Sequence, residues 1–299
     1  MRIMKQIPVV LLLCVIGLTA LAQDPQFTIK VESNLVNVLC TVTDRKGRLI
    51  PNLTKDDFII EEDGKKQEVV SFSKENSLPL TLALLIDTSG SVREVLGAEK
   101  ETASAFINTI LTPRDLAMVI KFDKNAKVMQ DFTESRSRMA DAIDLVGPTG
   151  NGTALYDALV MAARDHLSME SGRKAMILIS DGYDEGSSHS ERQALFEAQS
   201  ADSIIYSISN IIDGSQSGRG PDTLRKLSGD TGGAVFFIRR SSDFKAIFDT
   251  IASELRGQYS IAYKSTNTAR DGKFRNIKVL AKETSMSVRA RKGYFGPTE

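Results

Sequence analysis

The sequence predicts an α/β protein: a doubly wound, mainly parallel sheet, with a small β-sandwich-like part built from the N- and C-terminal segments. Three observations carry this. Between residues 78 and 256, short apolar runs alternate with helical patterns, the order of a parallel sheet covered on both faces. The run Leu82-Ala83-Leu84-Leu85-Ile86 has no polar alternation, as expected of a strand buried on both sides. Residues 27–75 and 257–296 alternate apolar and polar side chains with period two, as strands with one buried face do.

The elements follow in order. Arg2 and Lys5 precede an apolar stretch from Val9 to Leu18, and Ala20-Leu21-Ala22 fits a small-x-small cleavage rule. Residues 1–22 are therefore expected to be a signal peptide, placing the chain in the periplasm or outside the cell. The apolar run is short for a membrane span, so none is expected after cleavage; an uncleaved anchor is the alternative. Strands are expected over Phe27–Val31 and Val36–Val42, with turns at Asp44–Gly47 and Asp63-Gly64.

In the middle segment, 78–256, the strand candidates are Leu80–Asp87, Leu116–Phe122, Ala175–Ser180, Ile204–Ser209 and Ala234–Ile238. A short antiparallel edge strand is expected at Val128–Phe132. Helical spacing recurs over Val92–Ile110, Leu155–Ala163 and Phe244–Leu255. Beyond residue 257, Tyr259–Tyr263, Ile277–Ala281 and Met286–Ala290 alternate, with a turn at Asp271-Gly272. Neither flanking segment has enough apolar surface to fold alone, so the two are expected to pack together with the α/β part inserted between them. Two separate β appendages are the competing arrangement.

The chemistry gathers where the first buried strand stops. Asp87, Ser89 and Ser91 place a carboxylate and two hydroxyls at alternate positions, at the carboxyl end of a parallel strand, where open α/β sheets bind ligands. Hard divalent cations accept oxygen donors of this kind. Each residue also has a plainer reading. Ser91 with Glu94 fits a capping box, Thr153 fits a helix N-cap and Asp181-Gly182 fits a turn. Asp87 has no such reading, because an acid ending a buried strand wants a partner.

Asp87-x-Ser89-x-Ser91, followed by Gly150-Asn151-Gly152-Thr153 and by Ile177-Leu178-Ile179-Ser180-Asp181-Gly182, resembles the metal-ion-dependent adhesion site of von Willebrand factor A domains. The flanks resemble bacterial secreted proteins of the VWFA-related group, in Thr41-Val42-Thr43-Asp44, Asp56-Asp57-Phe58 and Arg289-Ala290-Arg291-Lys292-Gly293-Tyr294. The resemblance implies a Rossmann-like domain with Mg²⁺, or Mn²⁺, at its crest. By it, Ser89, Ser91 and Thr153 would present hydroxyls to the ion, while Asp87 and Asp181 act through water or steady the hydroxyls. A partner protein's Asp or Glu would complete the shell. Asp157, one turn after Thr153, is a candidate to steady that loop, or else a surface acid.

Composition narrows the alternatives. Lys plus Arg and Asp plus Glu both number 38, so no net field draws nucleic acid. Cys40 is the one cysteine left after cleavage and reads as a buried apolar residue. Two histidines, no Walker loop and no Gly-x-Ser-x-Gly elbow argue against an enzyme. A structural module stabilised by its metal, or a phosphatase-like hydrolase using Asp87 as nucleophile, are the rival functions.

Overall fold

The computed structural model describes residues 35–74, 78–90, 96–150, 152–211, 216–240 and 242–298. The expected signal peptide, the expected strand over Phe27–Val31, and Ser91 with its capping partner Glu94 lie outside the described residues.

The central sheet has six strands in the order β10-β9-β8-β5-β6-β7: Val235–Phe237, Ser203–Ser209, Arg173–Ile179, Leu80–Asp87, Leu116–Phe122 and Ala126–Thr133. β5 pairs in parallel with β6 and β8, and β8 and β10 each pair in parallel with β9. β7 runs antiparallel to β6 and forms the expected edge, longer than its apolar core suggested. All eight residues of β5 are buried, because both faces are covered. On one face Leu82, Leu84 and Ile86 pack with α1 (Leu96–Ile110), α2 (Arg136–Asp144) and α6 (Asp243–Gly257). On the other, Ala83 and Leu85 pack with α3 (Leu155–Val160), α4 (Glu191–Ser200) and α5 (Arg219–Thr231). The helical pattern over Leu155–Ala163 is α-helical only to Val160; Met161–His166 continues it as a π-helical turn.

The flanking strands build two four-stranded sheets. One has the order β13-β1-β11-β4, from Ser287–Ala290, Leu35–Thr43, Tyr259–Lys264 and Val69–Lys74. The other has the order β14-β12-β2-β3, from Gly293–Phe295, Phe274–Ala281, Phe58–Glu62 and Lys65–Gln67. N-terminal β1 thus pairs with C-terminal β11 and β13, and N-terminal β2 with C-terminal β12. Val38, Cys40, Ile60, Ile261 and Tyr263 share the apolar core between the sheets. Cys40 is 1% exposed, and burial pushes its thiol up to about 12. Glu62 enters this core because three hydroxyls satisfy it: Tyr263 Oη at 2.7 Å, Ser265 Oγ at 2.6 Å and Tyr294 Oη at 3.0 Å.

The chain enters the central sheet from β4 and leaves it through α6 into β11, both at the end away from the C-terminus of β5. Glu254 of α6, 5% exposed, is held by an ion pair from Arg289 of β13. Among the described residues no helix is long and apolar enough to cross a membrane.

Candidate metal centre

Three loops meet at the carboxyl end of β5. The first is pinned by backbone bonds: Thr88 N donates to Phe122 O at 2.8 Å, and Thr149 N donates to Thr88 O at 3.0 Å. Ser89 then bridges in parallel to Gly150, carrying the sheet pairing one step into the loops. The second loop is tied to its neighbours by Ala154 N to Asp123 O and by Glu185 N to Thr153 O, at 2.6 and 2.9 Å. The third follows β8, where Ser180 N donates to Ile208 O at 3.1 Å.

Ser89, Thr153 and Asp181 line one cleft together with Gly150, Tyr183 and Glu185. Asp87 lies beneath, fully buried. Its Oδ1 accepts from Ser89 N at 2.9 Å and its Oδ2 from Ser180 Oγ at 2.8 Å. Burial nevertheless pushes the Asp87 carboxyl up to about 6; the Ser89 and Ser180 hydrogen bonds oppose this and the charge of Asp181 adds to it. Ser180 also receives Gly182 N at 3.0 Å, so one hydroxyl joins Asp87 to the turn that carries Asp181. Nothing in the sequence singles Ser180 out, since it reads as the last residue of an apolar strand.

The plainer readings fare differently. The N-cap of α3 is Ala154, and the first-turn N–H groups of Tyr156 and Asp157 donate to Asp184 and Ser187, so Thr153 is not used as a cap. Asp181 does form a turn, with Oδ1 accepting Tyr183 N at 3.0 Å, and is buried as well. Gly182 is required there: its φ is +81°, and a Cβ would stand 2.3 Å from Gly220 O at the start of α5. Asp157 steadies the loop after Asp181 rather than the Thr153 loop. Its carboxylate accepts from Ser188 N and His189 N, both at 2.9 Å, and contacts His189 Nδ1 at 2.6 Å. Asp184 completes the strap by accepting Tyr156 N at 3.3 Å and Ser187 Oγ at 2.5 Å.

The donors assembled here are hydroxyl and carboxylate oxygens, the set that hard divalent cations take. The charge of Asp181, just past the end of β8, adds to the cost of the buried Asp87 carboxylate, and a cation between them would relieve it. The described residues hold no cluster of three or more His, Cys, Asp or Glu, so a thiolate or imidazole site of the usual zinc kind is not formed among them.

A family model of the von Willebrand factor type A domain matches residues 82–183, the stretch from β5 to the loop beyond β8. This chain carries a von Willebrand factor type A domain. Among solved structures, it is similar to proximal thread matrix protein 1 from the mussel byssus, at 18% identity and a TM-score of 0.54 over 65% of this chain and 51% of that one. A structure of the same mussel protein with a zinc-occupied MIDAS motif gives 19% identity and a TM-score of 0.53, over 65% and 50% of the two chains. A von Willebrand factor type A protein from Catenulispora acidiphila gives 16% identity and a TM-score of 0.50, over 90% and 76%. At such identities the likeness is one of fold, and this chain spans about half the length of the mussel protein. Comparison with curated proteins finds no match.

Proposed function

We propose that this von Willebrand factor A-domain protein is exported and binds a partner protein through a divalent cation at its crest. Ser89, Ser91 and Thr153 would hold the ion by their hydroxyls, with Asp181 beside them and Asp87 beneath, acting through water or steadying the hydroxyls. Mg²⁺ is the cation that suits neutral oxygens and retained waters, and Mn²⁺ is its substitute. With few direct carboxylates the ion stays electron-poor, and a partner's Asp or Glu would complete its shell. In this reading residues 1–22 are the export signal, and residues 27–75 with 257–296 form one base beneath residues 78–256. The role is binding, not catalysis.

The observation that carries the proposal is the convergence of Ser89, Thr153 and Asp181 on one cleft above the buried Asp87. The zinc-occupied MIDAS motif of the mussel protein, a domain of the same fold, supports a cation at this place. Calorimetric titration with Mg²⁺ and Mn²⁺ tests it. One saturable site is expected, lost in Asp87→Ala and Asp181→Ala while circular dichroism is unchanged. No site in the unaltered protein would overturn it. Ser89→Ala separates a binding role from a structural one: the first loses cation-dependent partner capture with the fold intact, the second loses melting temperature.

A further inference from the structure

A second cavity lies at the opposite end of the central sheet, where α1 and α6 finish and β4 hands over to β5. It encloses about 400 Å³, within the roughly 300–1,000 Å³ typical of small-molecule sites. Four cationic side chains line it: Lys74, Arg114, Arg173 and Arg256. Among the described residues the one acid in its wall is Asp115, and both of its oxygens are already engaged. Oδ1 accepts Leu80 N at 2.7 Å; Oδ2 accepts Thr112 N at 2.8 Å and Thr112 Oγ1 at 2.7 Å.

Part of this charge has an internal use. Arg256 Nη2 donates to Thr109 O and Ile110 O, and Arg173 donates to Leu78 O and Leu255 O, so both guanidinium groups satisfy carbonyls at or near the ends of α1 and α6. Among the described residues Lys74 and Arg114 make no such bond, and no acid there forms an ion pair with Lys74, Arg114 or Arg256. Three positive groups with no described ion-pair partner are thus gathered along one cavity; all three are exposed, so water screens them, and their side chains stay free to close on an anion. The buried side chains of Leu80, Ile110 and Leu255 give the same cavity an apolar wall.

We propose that this cavity binds a phosphate dianion, carried by a small molecule with an apolar body. The Arg114 guanidinium and the free edge of Arg256 would grip the head group by paired N–H donors, and Lys74 would add a point charge. A dianion fits the excess of positive charge better than a carboxylate does. The site is independent of the crest, and nothing in its argument requires a cation there.

Calorimetry of the whole protein in low salt, without divalent cations, tests this with phenyl phosphate, inorganic phosphate and benzoate. One saturable phenyl phosphate site is expected, weakened at least tenfold in Arg114→Gln and in Arg256→Gln. It should be unchanged in Lys278→Gln, an exposed lysine elsewhere, and in Asp87→Ala. Arg114 is exposed and makes no hydrogen bond or ion pair to another described residue, so its variant remains informative if Arg256→Gln unfolds. Phenyl phosphate binding more tightly than inorganic phosphate supports an organic ester; equal binding assigns free phosphate. Absence of saturable binding, wild-type binding in Arg114→Gln, or tighter binding of benzoate would overturn the proposal.

Discussion

Glu99 of α1 gives the sharpest test of the electrostatics beneath the crest. It is fully buried, and among the described residues neither carboxyl oxygen has a hydrogen-bond partner within normal geometry. Asn210, 4% exposed at the end of β9, is in the same position with both amide atoms. Burial pushes the Glu99 carboxyl from 4.5 up to about 8; the nearby Asn210 amide opposes the rise and the charge of Asp87 adds to it. Between these two values the folded protein holds a proton that the unfolded chain releases. Stability therefore falls as pH rises through that window and levels off above it.

Each pH unit between the two values is worth about 1.4 kcal/mol, so the ceiling for this one group is on the order of 5 kcal/mol. A small domain has about 5–15 kcal/mol in all, so relaxation and water entry must hold the realised span lower, at about 2–4 kcal/mol. Glu99→Gln keeps the shape and removes the ionisation. The assay is urea unfolding with EDTA present, from pH 5 to 8.5, on both proteins. At pH 5 their stabilities should nearly coincide; at pH 8.5 the variant should be more stable by that amount. Asp87, raised to about 6, slopes the same way at lower pH in both proteins and cancels in the difference. Parallel profiles would refute the reasoning, because Glu99 would then ionise alike in folded and unfolded chains.

Other substitutions probe the scaffold around the site. Ser180→Ala removes the donor to Asp87 and the acceptor of Gly182 N, and should cost about 1–3 kcal/mol by urea unfolding while moving the onset of cation binding to higher pH. Gly182→Ala combines a positive φ with a Cβ 2.3 Å from Gly220 O; a loss above about 2 kcal/mol and weaker cation binding are expected, and a neutral result would refute the close approach. Arg289→Met leaves Glu254 buried without its cation and should destabilise by about 3–5 kcal/mol, with Glu254→Gln restoring most of it in the double variant.

What was legible in the sequence was whatever depends on pattern and on joint occurrence. The strands of the central sheet could be read because both faces are covered, which turns each into an apolar run with a sharp polar end. The loops that bring Ser89, Thr153 and Asp181 to one cleft could be read because three short motifs fall in order at three strand or helix ends. Helix α5 escaped notice because it opens with Gly218-Arg219-Gly220-Pro221, which looks like a loop. Pro221 lies in the first helical turn, where its missing N–H costs nothing, and Gly220 is needed because a Cβ would stand 2.3 Å from Asp181 O. Glu99 sits between Ala98 and Lys100 and reads as part of a solvated face. Its register contradicts that, since Leu96, Glu99, Ala103, Phe106 and Ile110 fall on one helical stripe. Asp157 was legible as an acid near the site, but not its partners, because Ser188 and His189 come close only through the fold.

The same geometry allows the two proposed ligand sites to coexist on one sheet. The crest is made where parallel strands end, from short loops cross-tied by backbone bonds, and its charges are carboxylates. The opposite end is made where the last helix and the first strand meet the base, and its charges are guanidinium and ammonium groups. A positive ion suits the first and a negative one the second. Between them stand the buried residues of β5, with no polar side chain from Leu82 to Ile86 to relay charge. Coupling between the ends would then have to be mechanical, and α6 is the element placed to carry it. It packs on the same face as α1, pairs with Arg289 of the base through Glu254, and presents Arg256 to the basic cavity. An anion held by Arg114 and Arg256 would fasten the last turn of α6 to the start of β6. Arg289 already fastens that helix to β13, so both bonds restrain one helix end from two directions.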